Sequence, residues 1–152
     1  MKFTDGFWQL RPGVTALYAQ EAYDIEQTDA TPDGAGLVVT APTTVISKRG
    51  DVLNRPVLTV TLSSPLEGVI RVRVAHHTGA GWHGGFALPG AQRDAATATV
   101  SASGGALASG PLTARIAQGA PWDLSFELDG RRITGSGNRA AAYLCLAEGA
   151  GV

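Results

Sequence analysis

Thirteen acidic residues, three histidines, one cysteine and three tryptophans are the groups through which this 152-residue chain could do chemistry. Two carboxyl groups facing each other across a cleft would suit glycoside hydrolysis, but the acids here have local uses. Asp5, Asp33 and Asp129 each precede a glycine, where a short carboxylate bonds its own turn backbone, and Glu67 sits in a hairpin turn. No acid pair is suggested by spacing. His76 and His77 are adjacent on a strand, so they leave opposite faces and cannot easily share one metal. His83 could join one of them, but three liganding groups are not evident. One histidine inside and hydrogen-bonded, with the others exposed, is the expected arrangement, and no metal or cofactor is expected. Cys145 lies in an apolar stretch and reads as a small buried hydrophobe, not a nucleophile. No serine occupies a nucleophile elbow. Gly135-Ser136-Gly137 precedes no helix pattern and is no phosphate cradle.

The element that must position any such group runs from Pro56 to His77. Leu58, Val60 and Leu62 alternate with Thr59, Thr61 and Ser63; Ile70, Val72 and Val74 alternate with Arg71 and Arg73. This period of two predicts a hairpin with one greasy and one wet face, turning at Ser64–Gly68. Val60 and Val72 should be buried against a second sheet, with Thr61 and Arg73 on the opposite face.

Further strands are predicted at Val14–Ala19, Ala22–Thr28, Leu37–Ala41, Ala96–Ala102, Leu107–Ser109, Leu112–Gln118, Trp122–Leu128, Arg131–Thr134 and Ala142–Leu146. Asp29–Gly36 reads as a loop full of turn residues, and Asp129-Gly130 as a hairpin turn. Residues 43–55 read as a charged connection across one end. Phe3, Phe7, Trp8 and Leu10 read as an aromatic-anchored arm, or, for Trp8, as a sugar-stacking face. No stretch carries a sustained helical period, and many short strands between Gly and Pro turns predict an all-β antiparallel sandwich, a single domain over 1–152.

Composition narrows the class. Charged residues make up 16 % of the chain, against roughly 25 % in an ordinary soluble domain, so part of the surface is expected to be covered by a partner or by further chain. A formal net charge of −1 argues against a nucleic-acid partner, and the lack of a basic block argues against a membrane surface. One cysteine, no apolar leader at MKFTDGFWQL and no bilayer-length apolar run predict a cytoplasmic protein.

The segments FTDGFWQLRPGV, LNRPVLTVTLSSPLEGVIRVRVAHH and LTARIAQGAPWDLSFELDGRRITGS resemble, in this order, the N-terminal domain of family 31 glycoside hydrolases of the α-xylosidase type. The resemblance implies a galactose-mutarotase-like β-sandwich that precedes a (β/α)₈ barrel, with both catalytic aspartates of a retaining mechanism in the barrel. The chain is expected to end before that barrel, so no catalytic residue carries over to any position here and the chain alone is expected to be inactive. Its implied roles are support of the active-site rim and subunit contact. The loop 78–94 holds five glycines; it is expected to be mobile or held by a neighbouring subunit, with Trp82 and His83, the candidates for the substrate rim, partly exposed. Two other readings remain, a free-standing carbohydrate-binding module with Trp82 as its platform, and an interaction sandwich without sugar contact. The partners expected are the barrel, carbohydrate, and a second copy through self-association.

Overall fold

The computed structural model describes residues 3–4, 7–8, 10–53, 55–76, 96–137 and 139–147. Among these residues thirteen strands follow in chain order: β1 (Phe3–Thr4), β2 (Phe7–Trp8), β3 (Val14–Tyr18), β4 (Asp24–Thr31), β5 (Gly34–Pro42), β6 (Val57–Leu66), β7 (Val69–Ala75), β8 (Thr97–Ser101), β9 (Gly104–Ser109), β10 (Leu112–Ala117), β11 (Leu124–Leu128), β12 (Arg131–Ser136) and β13 (Ala142–Leu146). All pairings are antiparallel. Among the described residues the helical structure is one 3₁₀ turn, Arg49–Val52, and no helix is long and apolar enough to cross a membrane.

Two meanders make the two layers. One is a four-stranded sheet in the order β4-β5-β6-β7, the other a five-stranded sheet in the order β12-β11-β10-β9-β8. Each connects sequence neighbours, which lets short turns close every pair. The layers meet through β4, β5 and β6 against β8 and β9, with β10 reaching β7. β3 pairs with β13, joining early and late chain at the side of the sandwich.

Alternation decides what enters the core. Ile25, Leu37, Val39, Leu58, Val60 and Leu62 from the first sheet are buried against Ala98, Leu107, Ala114, Ile116 and Leu124 from the second. Burying each large side chain contributes about 1.5–3 kcal/mol. The sheets approach closely at Gly105, where an added Cβ would lie 2.9 Å from Ile25 and 3.0 Å from Leu37. The small residues around 95–110 thus mark a place where one backbone must come near the opposite layer.

Several sequence expectations are corrected. The hairpin turns at Glu67-Gly68, not over Ser64–Gly68, because Ser64 and Pro65 stay in β6 within an irregularity between Ser63 and Leu66; a bulge is where a strand tolerates a proline. Asp29–Gly36 is not a loop. Asp29–Thr31 extend β4, Pro32-Asp33 form the turn, and β5 begins at Gly34 with φ +93°. Trp122 is buried but precedes β11. The window 43–55 leaves and returns at one point, since Thr43 donates to the Pro56 carbonyl from both its amide and its hydroxyl.

The largest correction concerns Val72. It pairs with Leu62 and so lies on the core-facing side, as expected, yet it is 40 % exposed while Val60 is 1 % exposed. β7 is the outermost strand of its sheet, and an edge strand can overhang the opposite layer. Arg73 is exposed and Thr61 half-buried on the other face.

Candidate functional site

Trp82 and His83, the rim candidates read from the sequence, lie outside the described residues, as do His77, the whole loop 78–94 and the side chains of Phe3, Phe7 and Trp8. The remaining histidine, His76, is exposed just beyond β7, and its ring stacks on Tyr143 of β13 with centroids 4.1 Å apart. That contact ties the end of the β7 edge to the β3–β13 pair. Cys145 is half-buried, not buried, because it lies on this flanking pair away from the main core.

Two polar clusters hold strands together. Asp33, at the β4–β5 turn, does not bond its own backbone as expected. Its carboxylate accepts the Ser63 hydroxyl at 2.6 Å and Nη1 of Arg71 at 2.8 and 2.9 Å. The turn amide of Asp33 donates instead to the Thr31 hydroxyl. Alternation along β6 and β7 places Ser63 and Arg71 side by side on the outer face, and the tight turn brings Asp33 to them. The second cluster bridges the layers. The hydroxyls of Ser64 and Ser109 lie 2.7 Å apart, Ser64 donates to the Leu66 carbonyl, and the Gly68 amide donates to Ser109. Both clusters are internally paired, which suits a structural task better than a chemical one.

An open concavity lies on the outer face of the five-stranded sheet. β10 reads Leu-Thr-Ala-Arg-Ile-Ala; Ala114 and Ile116 are buried, so Arg115 must point outward. In register it sits beside Ala106 of β9 and Ser125 of β11, with Thr99 of β8 beyond Ala106. The next row sets Ala117 beside Gly104 and Ser101, with Asp123 at its end. The small side chains of this floor leave a cleft of about 330 Å³. Arg115 Nε donates to Glu127 at 2.8 Å, and Arg132 donates to Asp123 at 3.2 Å. The charges are therefore balanced, and each pair is exposed enough to contribute little stability. Sequence reasoning did not single out these residues. The outward position of Arg115 was readable from alternation, but its neighbours follow from strand order, which local patterns do not encode.

Among the described residues the cleft carries one carboxylate, Asp123, and no group of three His, Cys, Asp or Glu could hold a metal ion. Asp51 titrates below its ordinary range. The amide and hydroxyl of Ser47 and the amide of Lys48 all donate to its carboxylate and hold its pKa below 3.8. Asp51 caps the 3₁₀ turn, a structural role.

No protein-family model matches the chain. Among curated proteins it is similar to the α-xylosidase XylQ of Lactiplantibacillus pentosus, at 41 % identity over 76 residues, which are 50 % of this chain and 9 % of the relative. It is also similar to an α-xylosidase of Emericella nidulans, at 33 % identity over 86 residues, 57 % of this chain and 10 % of the relative. The resemblance to α-xylosidases read from the sequence is thus supported by two curated proteins, and the matched region spans about a tenth of each.

Proposed function

We propose that this chain is the N-terminal, non-catalytic domain of an α-xylosidase- or α-glucosidase-like glycoside hydrolase, a galactose-mutarotase-like sandwich that supports the active-site rim and contributes subunit contacts. The observation that carries this reading is the 41 % identity, over half of the chain, to a protein for which that stretch is 9 % of the length. Two further features support it. A retaining glycosidase needs two carboxyl groups roughly 5 Å apart, and among the described residues the cleft offers one carboxylate whose oxygen is already paired with Arg132. Both hydroxyl and carboxylate clusters are spent on bracing strands. The partner in this reading is the (β/α)₈ catalytic barrel of the full-length enzyme, in the cytoplasm, with Trp82 and His83 at the sugar-facing rim.

The test is an assay of the purified chain against aryl α-xyloside and α-glucoside at high protein concentration. No turnover above the uncatalysed rate is expected. In parallel, the chain replaces the matching segment of the Lactiplantibacillus pentosus protein, and a folded chimaera that hydrolyses α-xyloside is expected. Turnover by the chain alone that persists through repurification would overturn the reading.

A further inference from the structure

We infer that the cleft on the outer face of the five-stranded sheet is a saccharide-binding site. Its size, about 330 Å³, lies at the lower end of the roughly 300–1,000 Å³ range of small-ligand sites and suits a mono- or disaccharide. Its chemistry selects the ligand class. The guanidinium of Arg115 is matched by Glu127 and the carboxylate of Asp123 by Arg132, so the cleft offers no excess charge for a phosphate and no carboxylate cluster for a metal ion. What it offers is a mixed set of donors and acceptors. The hydroxyls of Thr99 and Ser125 have no hydrogen-bond partner among the described residues, and Arg115 spends only Nε on Glu127, leaving both Nη groups without a described partner. Ser101 and Ser103 bond each other at 3.0 Å and can redirect a hydroxyl hydrogen. Planar guanidinium and carboxylate groups flanking free hydroxyls match the vicinal hydroxyls of a neutral sugar.

The floor explains why this face can admit a ring. Ala106 and Ala117 stand where larger outward side chains would fill the space, and at Gly104 an added Cβ would run into the Ile116 carbonyl on β10. Among the described residues the lining contains no aromatic face, so the site is expected to bind without stacking and weakly, with Kd on the order of 1–10 mM, worth about 3–4 kcal/mol. The choice of sugar rests on the α-xylosidase reading above; the choice of a neutral, polyhydroxylated ligand rests on the cleft alone.

The experiment uses the 152-residue chain, labelled with ¹⁵N and titrated with methyl α-D-xylopyranoside. Amide shifts are expected at Thr99, Ala106, Arg115 and Ser125, saturating in the millimolar range. Ala106→Phe, which fills the floor from the solvent side, should abolish them, with unchanged amide dispersion elsewhere showing that the fold persists. Arg115→Met should weaken binding about tenfold by removing the charged donor. Absence of shifts at these positions, or shifts that survive Ala106→Phe, overturns the site. If Ala106→Phe disturbs the fold, Asp123→Asn and Arg115→Met decide: unchanged affinity in both overturns it. A silent cleft in a chain that completes an active chimaera would remove this site and leave the domain reading intact. Binding by a chain that hydrolyses α-xyloside unaided would do the reverse.

Discussion

Asp33 is 8 % exposed and fully engaged, by one hydroxyl and one guanidinium nitrogen that reaches both its oxygens. Removing the cation would leave a nearly buried carboxylate with only Ser63. Breaking a fully buried pair costs about 3–5 kcal/mol, but the Arg71 side chain is 31 % exposed, so solvent recovers part of that. Arg71→Met is therefore expected to cost about 2 kcal/mol, read as a lowered midpoint in urea; an unchanged midpoint would assign the cluster no stabilising role. Asp51 gives a pH signature of opposite visibility, local instead of global. Its folded pKa is depressed by three donors, so the stabilisation it brings is present above 3.8 and is lost as pH falls through the lowered folded value. Amide exchange at Ser47 and Lys48 should accelerate over that acid window while exchange in β5 and β6 stays slow. In Asp51→Asn the two amides should exchange fast already at neutral pH. Asp51 was legible only as one charge in a charged window, and Asp33 was read as a self-contained turn residue. Long-range partners such as Ser63 and Arg71 are fixed by strand register, and a turn motif is blind to them.

Strand existence was largely written in local pattern, and strand surroundings were not. β13 was read with its observed bounds, Ala142–Leu146, because small and apolar residues there are closed off by glycine on either side. Alternation also placed Val60 and Val72 on one face correctly. It could not tell a central strand from an edge strand, because coverage depends on where the second sheet stops. The proposed cleft has the same origin. Arg115 was readable as outward, but its company of Thr99, Ala106 and Ser125 arises from four strands being neighbours. The same substitution on the paired strands separates the two kinds of information. Val60→Asp buries an unpaired charge between the layers and is expected to prevent folding, since the penalty is comparable to the whole stability of about 5–15 kcal/mol. Val72→Asp leaves its carboxylate in contact with water at the edge and is expected to cost about 1 kcal/mol, chiefly through strand propensity. Circular dichroism and urea unfolding of the two proteins check this; equal losses would mean that β7 is covered in solution.

At the scale of the molecule, exposed apolar side chains are spread over several elements, and one group of them lies on β7 and β13. Val72 and Val74 stand exposed on β7, and Leu144 and Leu146, 53 % and 59 % exposed, on β13. The His76–Tyr143 stack joins these two strands, so they border one side of the sandwich. Contiguous apolar patches beyond a few hundred Å² are unusual on monomers, and contacts between domains of one chain commonly bury roughly 600–1,500 Å². The relatives are about ten times as long as the matched region; in the reading proposed above, a neighbouring domain would cover such a side, whereas the 152 residues by themselves have only other copies to meet. A net charge of −1 with 16 % charged residues supplies little repulsion between them. The chain is therefore expected to self-associate, with a sedimentation coefficient that rises across a concentration series. Paired Val72→Lys and Leu144→Lys substitutions should return it to a monomer without loss of fold, because both positions already meet solvent and a lysine can keep its ammonium there. The control Val100→Lys, on β8, the edge of the five-stranded sheet that meets β4 and not β7, should leave association unchanged. A wild-type chain that stays monomeric at high concentration would remove the need for a covering domain and favour an autonomous sugar-binding module, whose binding face would then be the cleft beside Arg115.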